Sequence, residues 1–91
     1  MRVPSYLVEA YAASTELALT DARARARRAA ELGSGIRYVR PTFVPGDEIV
    51  LHLFEAPSAA ALDEAGRRVA LPFERIVEAV EGSAEPRKEE R

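Results

Sequence analysis

An early apolar run frequent in aromatic and β-branched residues predicts a strand over residues 3–11, Val-Pro-Ser-Tyr-Leu-Val-Glu-Ala-Tyr. Pro4 sits at its start, where a missing N–H is tolerated. The pattern then shifts to helical spacing. Ala22, Ala26, Ala29 and Ala30 recur on one face of a segment rich in Ala, Leu and Arg, predicting a helix over 16–32. Ser14 or Thr15 is placed to cap it, and Glu16 favours the first turn. Thr20-Asp21 offers a later restart after a kink. Gly33-Ser34-Gly35 ends the helix, with Gly33 expected as the residue just past its C-terminus.

Two further β runs extend from Ile36 to Val44 and from Glu48 to Ala56. Between these runs, Pro45-Gly46-Asp47 reads as the turn of an antiparallel hairpin. Pro57 stops the third strand and Ser58 caps a second helix over 59–70. Leu62, Ala65 and Val69 share a face there. Gly66 weakens the helix by roughly 1 kcal/mol relative to Ala, an allowance for close packing. Leu71-Pro72 closes it, and a fourth strand spans 74–81. The order β-α-β-β-α-β predicts a ferredoxin-like α+β domain over 1–82: a four-stranded antiparallel sheet, first and third strands central, with two helices on one face. Residues 83–91 read as a charged, disordered tail without apolar anchors.

That architecture leaves one sheet face bare. In the third strand Ile49, Leu51 and Leu53 point one way, and Val50, His52 and Phe54 the other. Both sets are largely apolar, and two helices cover only one face. The expected remedy is a homodimer in which two sheets enclose a barrel-like interior. The alternative is a monomer whose open face is screened by Tyr and Arg side chains.

Composition narrows the classes. The 91 residues hold 13 Lys+Arg against 15 Asp+Glu, a net charge of −2, which argues against a nucleic-acid partner. Hydrophobic residues are 47% of the chain, enough for a folded domain. No apolar run reaches the ~20 residues of a membrane span, and the first residues lack a signal-peptide core. A soluble cytoplasmic protein is expected. Cysteine is absent, which removes disulfides, thiolate metal sites and a Cys nucleophile. The Arg-rich surface of the first helix (Arg23, Arg25, Arg27, Arg28) reads as a solvated face.

Few polar residues are left to carry chemistry. His52 is the single histidine; it is either a packed, hydrogen-bonded core residue or a contact for a metal or ligand. Glu9 and Glu55 fall on neighbouring strands. They are candidates for ion pairs with Arg37, Arg40 or Arg75, or for a carboxylate pair holding a cation or moving a proton. Tyr6, Tyr11 and Tyr38, with Phe43 and Phe54, either fill core and interface or line a small apolar pocket. No phosphate-binding Gly-rich loop, Walker motif or Ser-centred elbow is present.

Four segments taken in order, Tyr6-Leu7-Val8-Glu9, Arg37-Tyr38-Val39-Arg40, Phe54-Glu55-Ala56-Pro57-Ser58 and Leu71-Pro72-Phe73-Glu74-Arg75-Ile76, carry a resemblance. The chain resembles a family of small bacterial proteins of unknown function that are often labelled nickel-binding. The resemblance implies a ferredoxin-like, dimeric α/β-barrel fold and binding of Ni²⁺ or another divalent metal. Tyr6, Glu9, Glu55 and Arg75 match its framework. Val50 or His52 stands where members often carry a third-strand Cys, and Ala65 near a frequent helix His.

The expected function is thus a homodimer that binds a divalent metal or small ligand. His52 is the metal ligand, and Tyr6, Tyr38, Phe54, Glu9, Glu55 and Arg40 are pocket candidates. The alternatives are a small dimeric α/β-barrel enzyme, monooxygenase- or isomerase-like, acting on a hydrophobic substrate, and a non-catalytic dimerisation module.

Overall fold

The computed structural model describes residues 3–80. The expected tail at 83–91 lies outside the described residues. Alternating burial builds the first strand, β1 (Ser5–Tyr11), with Tyr6, Val8 and Ala10 buried. Helix α1 (Glu16–Leu32) follows without a kink. Its cap is Thr15, whose hydroxyl accepts from the Ala18 N–H, satisfying one of the orphan donors of the first turn. Gly33 is not left-handed, with φ −85°. A Cβ there would meet the end of the Ile36 side chain, which would have to move to admit it. The left-handed turn falls two residues later, at Gly35 (φ +74°).

Strands β2 (Arg37–Val44) and β3 (Ile49–Glu55) form the expected hairpin, joined by a 3-10 turn over Pro45–Asp47. The positive φ of that connection, 54°, is carried by Glu48 and not by Gly46. Helix α2 (Ala59–Arg68) is capped by Ser58, which accepts from the Ala61 N–H. It ends two residues before the expected boundary in a Schellman turn. The Leu71 N–H reaches the Gly66 carbonyl at 2.9 Å and the Ala70 N–H the Arg67 carbonyl at 3.2 Å. Ala70 holds the left-handed position at φ 55°, and its carbonyl accepts from Arg25 of α1, tying the two helices. Strand β4 (Arg75–Ala79) is shorter than expected.

The sheet order is β2-β3-β1-β4, antiparallel throughout, with β1 and β3 central as the topology predicts. The cross-strand pairs Tyr6 with Phe54, Val8 with His52 and Ala10 with Val50 face the helices. They form the core with Ala26, Leu62 and Leu71 at one end and with Ala12, Leu19 and Phe43 at the other. The small alanine face of α1 lets that helix lie close over the sheet. Opposite this core, Leu7, Leu51, Leu53 and Val77 lie on a face that no helix covers.

Candidate functional site

The seven residues marked by the sequence fall into two groups on opposite faces of the sheet. His52, Tyr38, Tyr6 and Phe54 lie beneath the helices, whereas Glu9, Glu55 and Arg40 lie on the open face. They do not form one pocket.

The inner group centres on His52, which is fully buried in mid-β3. Its strand neighbours, Val8 on β1 and Pro41 on β2, offer no side-chain polar atom. The Tyr38 hydroxyl lies 2.8 Å from Nδ1. With that hydroxyl donating, the neutral ring carries its hydrogen on Nε2. Nε2 is buried and meets no partner among the described residues. The rings of Tyr38, His52 and Phe54 are tilted against one another, with centroids 4.9 Å apart for Tyr38 and Phe54 and 5.5 Å for Tyr38 and His52. Loss of water sets the titration of the pair. Burial pushes the His52 imidazolium down to about 4. It pushes the Tyr38 phenol up to about 12, against the opposing pull of Arg23 and Arg27 on α1. Both groups are therefore neutral across the range where an acid–base catalyst must titrate.

The outer group is built from ion pairs. Arg37 grips Glu55 through two parallel contacts, Nε to Oε1 at 3.0 Å and Nη2 to Oε2 at 3.1 Å. These hydrogen bonds hold the Glu55 carboxyl below its usual range. Arg75 donates to Glu9 at 2.9 Å. Both pairings follow the sequence expectation, with Arg37 and Arg75 as the partners. The carboxylate pair does not exist: Glu9 stands opposite Leu51 and Glu55 opposite Ser5. Four residues of strand separate the two acids, roughly 13 Å. A concavity of about 450 Å³ opens on this face near the start of β1. Leu7, Val39 and Leu53 line it together with Ser5, Arg40 and Ala79.

A metal centre does not fit this arrangement within one chain. His52 has one nitrogen committed to Tyr38 and the other buried without a partner among the described residues, with the strand carboxylates on the far side of the sheet. Among the described residues no three His, Asp or Glu side chains are grouped to hold an ion. Tyr11 and Phe43 do not join an aromatic pocket either. Tyr11 donates to Glu48 on the open side, and Phe43 packs at the far end of the core.

The lining residues Ser5, Leu7 and Leu53 were not singled out by the sequence, although alternation places them on the face of Glu55. Val39 carried no such signal. A bulge between Tyr38 and Arg40 puts Val39 and Arg40 on the same side.

Element order and sheet topology define a ferredoxin-like α+β domain. No family model and no curated protein matches the chain. Among solved structures it is similar to the crystal structure of SCO4226 from Streptomyces coelicolor A3(2), with a TM-score of 0.72 at 16% identity. The match covers 87% of this chain and 99% of that one. At this identity the likeness establishes the fold alone. No helix among the described residues is long and apolar enough to cross a membrane.

Proposed function

We propose that the protein is a homodimer whose two sheets face one another, and that the covered face binds a small molecule. One observation carries this reading: opposite the helix-covered core, Leu7 stands between Leu53 and Val77, with Leu51 next along β3, all of them half-buried or exposed. Exposed apolar patches of this kind, rimmed by charge, mark association surfaces. The rim here is Arg37–Glu55 at one corner and Arg75–Glu9 at another. A second copy of the same surface is the simplest complement, because an isologous interface needs only one patch. The family resemblance supports the same arrangement.

The ligand half of the reading rests on the concavity, whose size falls within the roughly 300–1,000 Å³ of small-molecule sites. Metal binding is not included, since no donor set is grouped among the described residues. The enzyme reading is weaker, because His52 and Tyr38 are held neutral in the core. Sedimentation velocity at micromolar concentration tests the dimer. The wild type is expected to sediment as a dimer and Leu51→Lys as a folded monomer, since Leu51 lies outside the buried core. A monomeric wild type at all concentrations overturns the proposal.

A further inference from the structure

The concavity on the open face carries a charge that nothing among the described residues balances. Arg37 and Arg75 are engaged by Glu55 and Glu9. Arg40, by contrast, has no ion pair and no side-chain hydrogen bond among the described residues. Glu55 shares the concavity, yet both of its oxygens are already held by Arg37. The position of Arg40 is also set by the fold. Regular alternation from Tyr38, which faces the helices, would turn Arg40 inward opposite His52. The bulge instead pairs Arg40 with Leu53 and gives the inward place to Pro41. Bulges often re-aim a side chain at a site, and this one delivers a guanidinium to the concavity.

We infer that the concavity binds a small amphiphilic carboxylate, its apolar body against Leu7, Val39 and Leu53 and its carboxylate on Arg40. The planar guanidinium matches a carboxylate through two parallel hydrogen bonds. The Ser5 hydroxyl adds a further donor at the wall. The inference rests on the dimeric ligand-binding reading and deepens it. A second subunit over this face removes water from Arg40, and an unpaired guanidinium out of water is costly unless an anion meets it.

Calorimetry on the full chain with octanoate, octanamide and acetate as probes tests the assignment. Octanoate is expected to bind, with octanamide at least tenfold weaker for want of charge and acetate at least tenfold weaker for want of an apolar body. Arg40→Gln, an exposed position whose change leaves the core intact, is expected to weaken octanoate at least tenfold. Arg28→Gln, exposed on α1, is the control for net charge and is expected to leave binding within twofold. Absence of octanoate binding, or octanoate and octanamide binding equally, overturns the inference. So does an Arg40→Gln variant within twofold of wild type. Sedimentation of the same samples separates the two readings. A dimer that ignores octanoate keeps the dimer and removes the carboxylate site. A monomer that binds octanoate through Arg40 keeps the site and removes the dimer.

Discussion

Acid should destabilise this protein through His52, beyond what its paired carboxylates contribute. In the unfolded chain the imidazole takes up a proton near its ordinary value of 6.5, whereas in the folded chain burial holds it to about 4. Between these values the unfolded state binds the proton and the folded state does not. Stability is therefore full above about pH 6.5 and falls as pH drops toward 4. A gap of about 2.5 pH units corresponds to roughly 3.4 kcal/mol at the acid limit. Between pH 7 and pH 4.5 the linkage relation gives a loss of about 2.4 kcal/mol. That is a large share of the roughly 5–10 kcal/mol expected for a domain of this size. The matching perturbation is the double variant Tyr38→Phe/His52→Phe. It removes donor and acceptor together and leaves neither unpaired, so its stability at pH 7 should lie within about 1 kcal/mol of wild type. Urea unfolding of both proteins at pH 7, 5.5 and 4.5 provides the measurement. Carboxylates such as Glu55 titrate in both and cancel in the difference. The wild-type advantage should shrink by about 2.4 kcal/mol from pH 7 to 4.5. A difference that stays constant within about 0.5 kcal/mol, or an NMR titration of His52 with a midpoint above 6, would refute the reasoning.

Three further outcomes are expected. A methyl at Gly66 meets Phe73 and Leu71 at ordinary contact distances of 3.5 and 3.8 Å, so Gly66→Ala should stabilise by about 1 kcal/mol through helix propensity, read by thermal unfolding. Ala70→Gly should stabilise by about 0.5–1 kcal/mol in the same assay, because it relieves a left-handed residue at φ 55°; a loss would show that the Schellman turn is not strained. Equimolar Ni²⁺ should leave the melting temperature unchanged within about 1 °C, since no donor set is grouped to bind it among the described residues. A rise that His52→Phe abolishes would restore the metal reading.

Local chemistry made much of the fold legible in the sequence. The caps Thr15 and Ser58, the Pro45–Asp47 turn and the change between two-residue and helical periodicity each act over a few residues, so order and topology could be read directly. Alternation also told which residues of β3 share a side. Whether the helices would cover the side of Val50, His52 and Phe54 or that of Ile49, Leu51 and Leu53 was not legible, since both sets are apolar. Packing decides that, and it buries His52 while leaving Leu51 half-buried on the uncovered face. The same limit governs the site. Glu9 and Glu55 share a face by parity, but only the β1–β3 register holds them apart. The bulge at Val39 has no local signature, and it sends Arg40 outward and Pro41 inward. Short-range preferences along the chain determined the elements; long-range pairing, through register, bulge and helix placement, determined which side chains meet.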